Sequence, residues 1–360
     1  MKSTRPVRLL ILALATSVAF GACTKPEEKE KKKVWIKVCD RSYDPEVTKR
    51  IICAHESGLD ALSKLPKLEV LEISHTTLTS LAALKSVKLK SLVLKKVKVA
   101  DISALGALSH LEKLEIEEVP ATSFPVFASC ALKRLTLKKC GFTSLKGLET
   151  CTSLAHLSIV ETPVASLDGL PKAPGLTFFH VRKAPLTSLK GIERASGLER
   201  LRITDTPVTD VSGVDKLTHL RLLSLMASTN VKTVPSLKAL TALTTLVLSN
   251  TQVADLDAVK GMTHLKQIYL AHTKIDDIKV LKELTSLTSV YISHTSVGDL
   301  TPLQDLPKLT YLDITSTNVA NLKPLYKMTA LEQINLDKIK AKPKAIDKLK
   351  EKRPKLLVNP

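Results

Sequence analysis

The side chains with the most chemistry to offer in this 360-residue chain are nine histidines and six cysteines. Nothing in their spacing builds a catalyst. A serine nucleophile on a strained turn needs Gly-x-Ser-x-Gly, and a zinc hydrolase needs His-Glu-x-x-His. A phosphate cradle needs a glycine-rich loop ending in lysine, and a dithiol couple needs Cys-x-x-Cys. None of these strings occurs. His55, His75, His110, His219, His264, His272 and His294 are scattered or sit at repeat-related positions, and His272 and His294 are 22 residues apart. Those two could stack closely enough to hold a metal, but a pair of solvated rim histidines is the favoured reading. The sequence thus predicts a non-enzymatic protein with no catalytic residue, no metal and no cofactor.

Cysteine chemistry is better supported. Cys39 and Cys53 fall in one N-terminal segment, where a disulfide would close a short loop over the part of the fold with least packing, and that bridge is expected. Cys130 and Cys151 hold the same repeat position one coil apart. Their spacing suits a disulfide, while parallel side-chain directions favour two buried thiols, and both alternatives stand. Cys140 reads as an inert packed thiol.

Composition restricts the scaffold that carries these residues. Hydrophobic residues make up 44% and charged residues 25%, a globular balance, whereas aromatics are 3% and glycines number only 12. Tight-turned barrels and phosphate loops need more glycine. Lys and Arg exceed Asp and Glu by 54 to 35, for a net charge of +19. Such an excess favours anionic partners, and it is equally what a solvated lysine-rich exterior produces.

The elements follow from a repeat. Leu68, Leu89, Leu111, Leu132, Leu154, Leu176, Leu198, Leu220, Leu243, Leu265, Leu287, Leu309 and Leu331 open thirteen copies spaced by 21 to 23 residues. Each copy follows L-x-x-L-x-L-x-x-T-x-V-x-D/S-L-x-x-L, as from Leu287 through Val290, Ile292, Thr295 and Val297 to Leu300. Apolar residues at the fourth and sixth positions alternate with period two, so each copy carries a short strand with one buried face. Stacked strands must form a parallel sheet covered by the rest of each coil. The covering segment opens on Ser, Asp, Thr or Asn in twelve consecutive coils, from Ser80 through Asp210 to Asn321. Those residues accept backbone N–H groups at helix starts, which predicts a helical or 3-10 turn there. Position nine is threonine at Thr76, Thr162, Thr206, Thr251, Thr273, Thr295 and Thr317, whose hydroxyls are expected to bridge neighbouring coils. Val97, Val119, Cys140, Ala184 and Ile339 cannot do so, and looser coils are expected there.

This pattern resembles the leucine-rich repeat family, and its 22-residue length resembles the internalin class. The resemblance implies an α/β fold: a right-handed solenoid with a parallel concave β-sheet and short helical or 3-10 convex segments. It also implies a non-enzymatic scaffold that recognises a protein partner on the concave face. The repeats assign residues 68–337 to the solenoid of about thirteen coils, residues 34–67 to an N-terminal cap and residues 338–360 to a basic C-terminal cap. Within the first cap, Val34 to Val38 reads as an edge strand and Asp44 to Ala54 as a helix. In the second, Ile346 and Leu349 share one helical face.

Residues 1–22 read as an export signal: Lys2, Arg5 and Arg8 precede an apolar run from Leu9 to Phe20 that is too short to span a bilayer. Phe20-Gly21-Ala22-Cys23 resembles the bacterial lipobox, with Phe20 where leucine is usual, which implies lipidation of Cys23 and a membrane anchor. Thr24 to Lys33 is a charged tether. By resemblance to lipoprotein sorting, Thr24 in place of Asp favours the outer membrane, with the solenoid periplasmic or surface-exposed.

Concave positions three, five and seven then nominate the binding residues. The middle coils supply Arg134, Lys138, His156, Phe178, His180, Arg182, Arg200 and Arg202, a basic patch around an aromatic. Further along come Tyr269, Tyr291 and Tyr311. Arginine and tyrosine are the residues that most often dominate interfaces. The arginines are expected to be crowded, with only Thr204 as relief. A protein partner is the first expectation, an anionic glycan or polymer the alternative, and no specific nucleic-acid motif is present.

Overall fold

The computed structural model describes residues 34–55 and 58–359; Cys23 and the segments read as export signal and tether lie outside them. Each repeat contributes one strand, because its fourth and sixth side chains can only be hidden from water on the same side. Leu201 with Ile203 and Val290 with Ile292 are fully buried. The strands pair in chain order into one fifteen-stranded parallel sheet, from Arg50–Ala54 to Leu357–Asn359. Register never slips: Leu201 pairs with Phe179 on one side and Leu223 on the other. Equivalent positions therefore stack in columns, and side chains that share a repeat position become neighbours about 5 Å apart.

Short 3-10 turns such as Ser103–Ala107 and Lys279–Glu283 cover the other side of the core. The oxygens expected to cap them accept the N–H two residues on, as when Asp101 receives Ser103 N–H at 2.7 Å and Asp299 receives Thr301 N–H at 2.8 Å. The residue immediately before each turn is instead Ile102 or Leu300, with no side-chain cap. The polar residue thus closes an Asx-type turn one step ahead of the 3-10 segment, and the apolar residue that follows is buried.

Several cap expectations need correction. The segment 44–54 contains no helix; Arg50–Ala54 is a strand that pairs Ile51 with Leu71 and Cys53 with Ile73. Its alternating Arg-Ile-Ile-Cys-Ala pattern hides Ile51 and Cys53, and its pairing satisfies backbone groups that Val70–Thr77 would otherwise leave at an open edge. Nor is Val34 to Val38 an edge of the main sheet: Ile36–Val38 pairs antiparallel with Arg41–Tyr43 in a separate two-stranded hairpin. Its turn residues Cys39 and Asp40 are both left-handed, at φ 48° and 55°, which matches the right-handed twist of paired strands. Cys39 is bonded to Cys53, with Cα atoms 5.5 Å apart, so the hairpin is fastened to the first strand of the sheet. Cys130 and Cys151 are also bonded, Cα to Cα 4.8 Å, and Cys140 is a buried free thiol.

At the other end the helix Pro343–Lys352 buries Leu349, with Ile346 half-buried beside it. Arg353 completes the cap. Its guanidinium donates to the carbonyls of Leu325 (3.0 Å), Met328, Thr329 (3.4 Å) and Leu331 (2.9 Å), and so ties the end of the chain to the last coils.

The threonine column is also corrected in part. Thr251, Thr273, Thr295 and Thr317 donate to the carbonyl three residues back in their own coil, at 2.6–2.7 Å, and so close the turn rather than bridge coils. Bridging occurs where Thr162 accepts Cys140 N–H at 3.3 Å and where Thr206 meets Ser228 at 3.1 Å. Of the five coils expected to be loose, four are closed, with Val97, Val119, Cys140 and Ala184 buried, while Ile339 is half-buried. At Val97 the ladder itself lengthens, pairing with Thr76. Among the described residues, no helix is long and apolar enough to cross a membrane.

Candidate functional site

Columns on the concave face divide it into blocks. From Arg50 to Lys139 several charges are matched across strands: Arg50 with Glu72 at 3.8 Å, Lys95 with Glu115 at 3.2 Å, Lys138 with Glu117, and Lys139 with Glu118 at 3.6 Å. Exposed pairs of this kind stabilise little, but they offset part of the positive charge there, and Arg134 has no ion pair among the described residues. Glu117 is held below the usual carboxylate range chiefly by its hydrogen bond from Lys138.

The next block breaks that pattern. The strands His156–Val160, Phe178–Arg182 and Arg200–Thr204 lie side by side, with Arg200 opposite Phe178 and Arg202 opposite His180. The rings of His156 and Phe178 stack at 4.3 Å, and Phe178 meets His180 edge-on at 6.3 Å. Arg182 has a counter-ion: Asp205 lies 3.4 Å from its Nε, which corrects the expectation that Thr204 alone relieves the cations. Asp205 escaped the strand count because it sits at the eighth position. There every coil from His55 to Lys338 turns out of the sheet through a non-glycine residue at φ 50–66°. Among the described residues neither Arg200 nor Arg202 has an ion pair or side-chain hydrogen bond. Burial, and then Arg202 and Arg182, push the His180 imidazole below its ordinary value; burial, Arg134 and His180 do the same to His156. Both rings are therefore neutral near pH 7.

Beyond Arg202 the concave positions change character, and none from Leu222 to Tyr311 is charged. A hollow of about 380 Å³ spans the boundary. One wall is His180, Arg182 and Arg202 with Thr204 and Asp205; the other is Leu222, Met226 and Val247 with Ser224 among them. Met226 is 43% exposed, unusual for so apolar a side chain. The sequence hid this wall, because leucine, methionine and valine inside a repeat read as core, and only the register turns them outward.

Tyr269, Tyr291 and Tyr311 then form the tyrosine block, with Tyr269 and Tyr291 stacked at 4.2 Å and Tyr291 and Tyr311 tilted at 4.8 Å. Burial and the hydrogen bond with Tyr269 push the Tyr291 phenol up to about 12. Asn335 donates to the Tyr311 hydroxyl at 2.7 Å and Asn359 to Asn335 Oδ1 at 2.8 Å, which ties the block to the last strand. His272 and His294 stack face to face at 4.1 Å with planes 10° apart. Lone pairs of two parallel rings do not converge on one ion. Among the described residues no group of three or more His, Cys, Asp or Glu side chains could hold a metal.

The nominated residues thus fall into two clusters, Arg134 to Arg202 and Tyr269 to Tyr311, separated by the strands Leu222–Ser224 and Thr245–Val247.

Comparison with known proteins agrees with this architecture. A family profile described as Leucine Rich repeats (2 copies) matches residues 241–283. The fold is similar to that of an internalin (inlF) from Listeria monocytogenes, at 21% identity over 82% of this chain and 89% of that one, with a TM-score of 0.67. It is similar to a leucine-rich repeat protein of Leptospira interrogans, at 17% identity over 83% and 92% and a TM-score of 0.56. It is also similar to TLR13 in a complex with ssRNA13, at 14% identity over 86% of this chain and 50% of that one, with a TM-score of 0.69. No curated protein matches the chain by sequence. With its thirteen sequence repeats, its single in-register parallel sheet and these matches, the chain has the α/β leucine-rich repeat solenoid fold.

Proposed function

We propose that this chain is a lipid-anchored scaffold of the bacterial cell envelope, held at the outer membrane through Cys23, that recognises a protein partner on its concave face. The observation that carries the reading is the block around Arg200 and Arg202. On the earlier strands several cations are matched by carboxylates, whereas here, among the described residues, Arg200 and Arg202 have no carboxylate partner beside the stacked His156 and Phe178. An idle surface gains nothing from crowding like charges, and a partner carboxylate would relieve them through bidentate hydrogen bonds. Arg134, His180 and Arg182 flank the block, and Tyr269, Tyr291 and Tyr311 extend the surface for a longer partner.

The test is capture from envelope extracts by the full chain and by the Arg200→Glu/Arg202→Glu variant, with far-UV circular dichroism as the folding control. Loss of one specific protein band from the folded variant supports the reading; an unchanged band profile overturns it. The anchor is tested separately: Cys23→Ser should move the protein out of the detergent phase on partitioning, and retention there overturns the lipid assignment. The same unpaired arginines favour one second reading, an anionic glycan or polymer. Counterion release would then make binding fall steeply with salt, whereas a carboxylate flanked by apolar contacts weakens less.

A further inference from the structure

The hollow between the cationic and apolar walls supports a sharper statement, which rests on the concave-face reading above. Its walls differ in kind. Arg182, which shares its guanidinium with Asp205, and Arg202, which has no ion pair among the described residues, present guanidinium donors. Leu222, Met226 and Val247 present carbon and sulfur, with the Ser224 hydroxyl between them and Thr204 and Asp205 completing the lining. A ligand that fills the hollow must therefore carry an anion and an apolar group at a fixed separation.

The sheet sets that separation. Arg202 stands one strand from Leu222 and Met226 and two strands from Val247. At about 4.8 Å per strand, the middle of the apolar wall lies roughly 7 Å from the Arg202 column. In an extended peptide, residues i and i+2 point the same way and are about 6.6–6.8 Å apart. The two repeats match when the peptide runs across the strands, along the axis of the solenoid. Depth excludes a buried acyl chain: the floor residues Leu223, Leu225 and Leu246 are sealed in the core. The remaining space, about 380 Å³, suits two side chains.

We propose that this hollow reads an acidic residue and a bulky apolar residue two positions apart in an extended segment of the partner protein, in either chain direction. The carboxylate sits between Arg182 and Arg202, and the apolar side chain covers Met226 and Val247.

Met226 supplies the probe. Of the four methionines, Met262 and Met328 are buried and Met226 is exposed, so a shift of its methyl resonance reports occupancy directly. Capped octapeptides containing Glu-Ser-Leu or Leu-Ser-Glu, on a Gly/Ser background, should shift that resonance saturably in the full chain. Peptides with Glu-Ser-Ser, Lys-Ser-Leu or the adjacent pair Glu-Leu should bind at least about tenfold more weakly, the loss expected when one anchor is removed or misplaced. Arg202→Gln should weaken the Glu-Ser-Leu peptide by a similar factor, and Val247→Ser should do so without altering the charge.

Equal binding of spaced and adjacent peptides, still dependent on Arg202, would overturn the spacing rule while leaving the concave-face reading intact. Peptide binding that Arg202→Gln does not affect would overturn both. Saturation of the Met226 shift by dihexanoyl phosphatidylglycerol, with no response to any peptide, would overturn the peptide proposal in favour of a lipid.

Discussion

Removing a charge from the crowded block should make the free protein more stable, the reverse of what most substitutions do. Arg200 and Arg202 lie on one strand two residues apart, about 6.6 Å, and Arg182 sits diagonally across the next strand at about 8 Å. In a water-like dielectric each unscreened pair costs about 0.5 kcal/mol. Asp205 offsets part of the Arg182 contribution. Arg202→Gln keeps length and polarity and removes the charge, so the expected gain is about 0.5–1 kcal/mol at low ionic strength, a melting temperature higher by roughly 1–3 °C. At about 1 M salt, where the screening length is about 3 Å, the gain should vanish. The assay is thermal unfolding of both proteins across a salt series. A second readout is the His180 ring resonance: with Arg202 neutralised its pKa should rise towards 6.5, because Arg202 contributes after burial to holding it down. A variant less stable at low salt, or a gap that salt does not close, would refute the picture of cations waiting for an anion.

Three further outcomes follow from the scaffold. Arg353→Ala should cost about 2–4 kcal/mol in the C-terminal coils, since four carbonyls lose a charged donor; amide exchange in Gln333–Asn335 and Leu357–Asn359 should accelerate before the middle strands respond. Gly169→Ala should destabilise by about 2–4 kcal/mol in urea unfolding, because its φ is +89° and a Cβ there would lie 2.2 Å from the Leu145 carbonyl carbon. His156 and His180 have folded pKa values below 6.5, so the unfolded chain binds more protons in that window. The stability they contribute is complete above about pH 6.5 and is lost as pH falls through the lowered folded values. His156→Gln/His180→Gln should accordingly flatten the fall in melting temperature between about pH 7 and 5, and an unchanged slope would show that neither ring titrates as described.

The repeat was legible because a buried strand face admits little variation. Leu201 and Ile203 recur at matching positions in every coil, and period-two alternation leaves no other way to hide them. The concave register followed, and with it the pairing of Arg200 with Phe178. The ends were harder to read, since a cap makes each contact only once. Arg50–Ala54 is too short to separate from a helical turn by pattern alone, and nothing before Arg353 announces that its side chain will reach back to Leu325. The apolar wall was hidden for the opposite reason: Leu222 and Val247 have the composition of core residues, and only pairing with Arg200 and Thr245's neighbours places them outside. Asp205 was overlooked because left-handed turn residues were not counted with the strand. Their types offered the clue, for the eighth position holds His, Lys, Glu, Asp, Ala, Asn or Ser and no β-branched residue, as a positive φ requires.

The most direct test of partner recognition on the concave face is site-specific photocrosslinking in the native envelope. Benzoylphenylalanine would replace Thr136 or Thr245 on the concave columns, and Lys190 or Lys260 on the exposed convex side. Recognition by the concave sheet predicts one discrete adduct from Thr136 or Thr245, lost when Arg200→Glu/Arg202→Glu is added, and none from the convex positions. The same adduct from Lys190 or Lys260, with none from either concave position, would contradict it.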